Sequence, residues 1–114
     1  MRRSKPDGVL VTDALFLAER SEVARVIREL RLPAMFGWKE TQEDAVLMSY
    51  GPSFKEGMRR VAIYVDKIMK GAKPSELPIE QDSKYEFIIN LRVAHALKMN
   101  VPQELLLRAD EVVR

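Results

Sequence analysis

The stretch that decides the fold is Leu47–Met99, LMSYGPSFKEGMRRVAIYVDKIMKGAKPSELPIEQDSKYEFIINLRVAHALKM. Val46 to Ser49 reads as a buried strand, and Tyr50-Gly51-Pro52 as a sharp turn. Ser53 and Glu56 stand at capping-box spacing, S-x-x-E, so each can satisfy an orphan amide of a first helical turn. Phe54, Met58, Val61, Val65, Ile68 and Met69 then recur on one helical face. Gly71 supplies a left-handed stop, and Pro74 forbids continuation. Pro74 to Gln81 is extended, Tyr85 to Ile89 is strand-like, and Asn90 can cap a helix running to about Met99.

Outward from that stretch the pattern persists. Val9-Leu10-Val11 is a short, continuous apolar run, which suits a strand covered on both faces. Thr12 to Phe16 follow as a loop. Val23, Val26, Ile27 and Leu30 fall at helical spacing, with Arg25, Arg28, Glu29 and Arg31 on the wet face. Pro33 stops that helix and Ala34-Met35-Phe36 is the next strand, which completes a βαβ unit. Lys39 to Ala45 is polar and reads as a short surface helix. Pro102 opens a last turn or short helix, and Asp110 to Val113 reads as a closing edge strand, although 100–114 is open between helix and strand. The fold class is α/β, a small, mainly parallel, three-layer sheet in one domain spanning 1–114. Within it, 7–73 forms the βαβ core, and 74–114 an extended crossing segment with a last strand and helix. The apolar stripe of the long helix is expected to be core.

Composition narrows the function. An apolar content of 46% against 32% charged residues is globular, and a net charge of +2 is too small to argue for nucleic acid. The absence of cysteine excludes a disulfide framework, a thiol nucleophile and a cysteine metal site, and the single histidine, His95, lies in a helical pattern. No G-x-S-x-G elbow, H-E-x-x-H pair or phosphate loop is present. Glu43-Asp44 and Asp110-Glu111 are sequence neighbours, so their side chains diverge. No catalytic residues, cofactor or metal are expected. No run reaches transmembrane length, and the first residues lack the apolar segment of a signal peptide.

In open parallel sheets, ligands meet the loops after the carboxyl ends of strands. Here those loops carry Thr12, Asp13 and Phe16, then Trp38, then Tyr50, Gly51 and Ser53. A carboxylate there suits a ligand ammonium, aromatic rings suit an apolar body, and the amides after Ser53 suit an anion. An amino acid or similar molecule fits that set. Each residue has a plainer reading: Asp13 and Ser53 as caps, Phe16 and Trp38 as core, Tyr50 as a buried strand residue.

These words in this order resemble the C-terminal portion of ABC transporter substrate-binding proteins, in a branch whose better-known members look like aromatic-amino-acid binders. Gly8–Phe16 and Leu105–Val113 look like the family's first cleft strand and its closing segment. The resemblance covers nearly the whole chain but about the last third of a typical member. It implies the C-terminal lobe of a type I periplasmic-binding-protein fold, a small-molecule solute, and an ABC permease as partner. It implies that Asp13, in the Thr12-Asp13 pair, meets the ligand amine and that Gly51 lies at the cleft. Ala14 departs from the Asn typical of that branch. Periplasmic or membrane-associated location is implied, whereas the sequence as it stands carries no export signal and reads as cytoplasmic. The alternative is a truncated, self-associating interaction domain, a homodimer through 77–99.

Overall fold

The computed structural model describes residues 5–12, 18–39, 45–81 and 84–114. Five strands form one sheet in sequential order: β1 (Val9–Val11), β2 (Ala34–Phe36), β3 (Met48–Pro52), β4 (Tyr85–Asn90) and β5 (Glu111–Val113). β1, β2 and β3 run parallel, β4 is antiparallel to β3, and β5 is parallel to β4. The sheet is therefore mainly parallel, as the short apolar runs require.

Among the described residues four α-helices complete the fold: α1 (Arg20–Leu30), α2 (Phe54–Met69), α3 (Leu91–Ala96) and α4 (Gln103–Arg108); the expected short helix at 39–45 lies mostly outside them. Ala24 and Ile27 of α1 pack on Val11, Ala34 and Phe36, with Ala45 and Val46 closing the cluster. On the wet side of α1, Arg25 is held between Glu22 and Glu29. A second cluster, Leu47, Val93 and Ala94 with Met48, Leu91 and Leu97 around it, fixes α3. Asn90 caps α3 as its type predicts, its Oδ1 accepting from the amides of Arg92 at 3.0 Å and Val93 at 3.3 Å.

Three expectations are corrected here. The third strand begins and ends later than Val46–Ser49, so Tyr50, Gly51 and Pro52 are strand residues rather than a turn. Ser53 is the N-cap residue of α2, but its side chain makes no capping bond. Its amide donates instead to the Lys84 carbonyl at 3.2 Å, which extends the β3–β4 ladder and leaves Glu56 no amide to cap. The largest correction concerns α2 itself, which contains no buried residue. Its apolar stripe is not core in this chain.

The end of α2 follows the sequence closely. Gly71 has φ of +105°, and the Ala72 amide donates to the Lys67 carbonyl at 3.0 Å, the long bond of a Schellman turn. A short 3-10 turn, Pro74–Glu76, reverses the chain. The return segment then runs back beside α2. Tyr64 donates its hydroxyl proton to the Pro78 carbonyl at 2.6 Å, and Arg60 donates to the Gln81 carbonyl at 2.7 Å. Together α2 and this segment form an arm. The radius of gyration, 17.8 Å, reflects it, since a compact chain of this length would have roughly 13 Å.

Candidate functional site

Direction of the strands decides which residues meet at the cleft edge. The carboxyl ends of β1, β2 and β3 lie on one edge of the sheet. Because β4 is antiparallel to β3, its amino end, with Lys84 and Glu86, joins them. β5 is parallel to β4, which brings Asp110 and Glu111 to the same edge. Sequence reasoning counted only the loops after three strands, so it missed Lys84, Glu86 and Glu111.

At this edge an open cavity of about 410 Å³ lies against the first turn of α2. Its walls include Ser53, Lys55 and Arg59 from the helix, Lys39 from beyond β2, and Lys84 and Glu86 from β4. Glu56 also reaches it. Four cations thus face two carboxylates beside a helix start whose amides carry partial positive charge. Lys39 is held by Glu111 at 2.9 Å. Arg59 lies 4.0 Å from Glu56, so Lys55 and Lys84 set against Glu86 leave one excess positive charge beside the helix start.

The sequence-predicted residues are distributed unevenly around it. Ser53 is buried and lines the cavity. Thr12 is exposed at the end of β1, and Trp38 is half-buried after β2. Asp13 and Phe16 lie outside the described residues. Tyr50 is not at the edge. It stands on the open face of the sheet, stacked on Tyr85 with ring centroids 5.6 Å apart and edge-on to Phe87 at 6.0 Å. Of the three aromatics and one carboxylate expected to converge, the described residues thus hold only Trp38 and Tyr50.

Gly51 has a packing reason to be glycine. A Cβ built on it would lie 1.6 Å from the Gly37 carbonyl oxygen. The turn after β2 crosses over β3 at that point, and no side chain fits between them. Asp110 is likewise engaged in the fold: its carboxylate accepts from the Phe87 amide at 2.8 Å, while its own amide donates to the Phe87 carbonyl at 2.8 Å. Among the described residues no group of His, Asp and Glu could hold a metal ion, and no helix is long and apolar enough to cross a membrane.

A mainly parallel α/β sheet with a polar cavity at its strand-end edge, and an arm leaving that edge, has the frame of a periplasmic-binding-protein-like domain. The chain belongs to the ABC transporter substrate binding protein family, which it matches over residues 5–113. No curated protein matches it. Among solved structures it is similar to a conserved domain protein from Vibrio cholerae, with a TM-score of 0.86 and 20% identity over 93% of this chain and 36% of that one. It is similar also to an ABC domain in complex with L-Trp from Streptococcus pneumoniae, with a TM-score of 0.80 and 23% identity over 96% of this chain and 38% of that one. A third relative is a ligand-free, open substrate-binding protein with adhesive properties from Clostridium difficile, with a TM-score of 0.56 and 20% identity over 92% of this chain and 36% of that one. The chain thus spans a little over a third of the length of these relatives.

Proposed function

We propose that this chain supplies one wall of a solute-binding cleft, for an amino acid or a similar small molecule delivered to an ABC permease. It acts as a binding module without catalytic chemistry, in a periplasmic or membrane-associated setting. The observation that carries the reading is the cationic cavity at the start of α2, with Ser53, Lys55, Arg59 and Lys84 around amides that suit a carboxylate. Asp13, one residue beyond Thr12, is the partner for the ligand ammonium, and Phe16 and Trp38 are the apolar contacts. The fold shared with a domain that binds L-Trp is in keeping with this.

One wall leaves much of a ligand wet, whereas tight sites bury roughly 70–90% of it. The chain alone therefore binds weakly. Titrating free amino acids into labelled protein should shift the amide signals of Gly51, of 53–56 and of Lys84, with a dissociation constant weaker than micromolar. Asp13→Ala should lower that affinity by on the order of 1.5–3 kcal/mol, the loss of a charge-assisted contact. Sub-micromolar binding, or shifts that avoid the α2 start, would refute the half-cleft reading. A second reading, a self-associating interaction domain, is favoured by one specific observation: α2 is bare.

A further inference from the structure

At the end of the sheet opposite the cleft edge lies another cavity, of about 540 Å³. It sits where α1 ends and where β4 passes into α3. Because β4 runs antiparallel to β3, its carboxyl end, Asn90, is far from the edge that holds Lys84. Ile27, Ala45 and Val93, all buried, give the cavity an apolar floor. Arg28, Arg31 and Arg92 line it as well, and no carboxylate does among the described residues.

These guanidinium groups are largely uncommitted. Arg28 and Arg31 make no ion pair or side-chain hydrogen bond with a described residue. Arg92 uses only Nε, which donates to the Arg114 carbonyl at 2.8 Å and leaves its two terminal nitrogens available. A plainer role for Arg28 and Arg31 is to complement the carboxyl end of α1. The last carbonyls there are already met by main chain: the Arg31 amide donates to Arg28 at 3.2 Å and the Leu32 amide to Ile27 at 3.4 Å. Nor does that role reach Arg92, which α3 supplies.

Asn90 is an independent observation at the same place. It lines the cavity and is only 5% exposed. Its Oδ1 accepts from two backbone amides, which fixes the other terminal atom as the NH2 group. That group has no hydrogen-bond partner among the described residues. It is not sealed in either, because among them only Ser49 Oγ is both fully buried and unpartnered. A donor this deep is normally met by an acceptor, and its open side is the cavity.

We propose that this cavity is a second binding site, for a small organic anion: a carboxylate or phosphate group on a short apolar body. The oxyanion lies among Arg28, Arg31 and the terminal nitrogens of Arg92, and accepts from Asn90 Nδ2. The body rests on Ile27, Ala45 and Val93. Guanidinium forks suit such oxyanions because they offer two parallel donors at once. The volume falls in the range of roughly 300–1,000 Å³ that small-molecule sites occupy. A concave site with an apolar floor favours a small molecule over the flat acidic surface of a protein.

Hexanoate and hexyl phosphate, titrated separately into isotopically labelled chain, are the probes. Each should shift the amide signals of Arg31, Leu32, Arg92 and Val93, saturating at about millimolar concentration or below. Signals of 53–56 and Lys84 report separately on the cleft, so this site and the solute-binding reading can fail independently. Asn90→Asp keeps the helix cap, since the two residues cap equally well, but it removes the donor and adds negative charge. It should weaken both probes about tenfold or more while leaving the unfolding midpoint near wild type. Arg28→Gln/Arg92→Gln touches no cap and should weaken them as much, which keeps the test open should Asn90→Asp fail to fold. Absence of saturable shifts at Arg31 and Arg92 would overturn the proposal, as would unchanged affinity in the double variant. Hexanol binding as well as hexanoate would reduce the site to an apolar patch. A tetraglutamate peptide binding there more tightly than either probe would assign it to an acidic protein partner instead.

Discussion

Replacing Gly51 by alanine should be among the costliest small substitutions in this protein. The new Cβ would meet the Gly37 carbonyl oxygen at 1.6 Å, where real Cβ contacts essentially never fall below 3.0 Å. One of the two segments must retreat by about 1.4 Å. Neither can do so by a rotamer change, because the clash is with backbone. Neighbouring strands lie about 4.8 Å apart, so such a retreat disturbs the pairing of Phe36 with Ser49 next to it. Overpacking that moves backbone costs about 1–3 kcal/mol, and the rigid neighbour puts this case near 3. With roughly 4 °C lost per kcal/mol in a domain of about this size, Tm should fall by about 10 °C. Gly57→Ala is the control. Nothing lies within 4 Å of its added Cβ, and it sits inside α2, where alanine is favoured over glycine by about 1 kcal/mol. Thermal unfolding followed by circular dichroism should show opposite shifts for the two. An unchanged Tm for Gly51→Ala would refute the close crossing of the β2 turn over β3.

Other substitutions probe separate links. Asn90→Ala removes the acceptor for two amides at the start of α3 and should cost about 1 kcal/mol; a denaturation midpoint equal to wild type would contradict the cap. Gly71→Val forces a β-branched side chain into φ of +105° and should lower Tm clearly, with Lys70→Ala as a near-neutral comparison. The Tyr64 phenol is pushed above its ordinary pKa, first by loss of hydration and then by the nearby Glu80 charge. The folded arm therefore favours the protonated phenol. Its contribution is complete below the unfolded tyrosine pKa and is lost as pH rises through the higher folded value. In an alkaline titration read by phenolate absorbance, Tyr64→Phe should remove a transition displaced upward from the ordinary tyrosine range.

Most of the backbone was legible because local rules and tertiary structure agree. β1 at Val9–Val11 and β2 at Ala34–Phe36 fall where the apolar runs put them, although β1 is an edge strand whose Leu10 faces solvent, not a strand covered on both faces. Gly71 and Asn90 do what their residue types do. The third strand starts two residues later and ends three later than read, because a glycine and a proline look like a turn. Here Gly51 is a strand residue kept small by the Gly37 carbonyl, and the proline ends the strand. The site was less legible. Nothing in the run Tyr85–Asn90 tells whether the strand is parallel or antiparallel to its neighbour, and that one bit moves Lys84, Glu86 and Glu111 to the cleft edge. It also decides Tyr50, whose register opposite Phe87 turns it onto the open face.

The misreading of α2 has a different cause. A period of 3.6 residues in apolar side chains states that a helix has one face to bury, and it carries no information about the identity of the surface that buries it. For α1 that surface is the chain's own sheet, where Ala24 and Ile27 are buried. For α2 it is not, and Val61 and Val65 remain half exposed. The sheet has the matching deficit, a face with Leu10, Tyr50 and Tyr85 open to solvent. Soluble proteins rarely leave contiguous apolar patches beyond a few hundred Å² uncovered, and this chain carries two of them. The period of α2 thus marks a face that the chain's own described residues do not bury, and this is why its burial could not be read from the sequence.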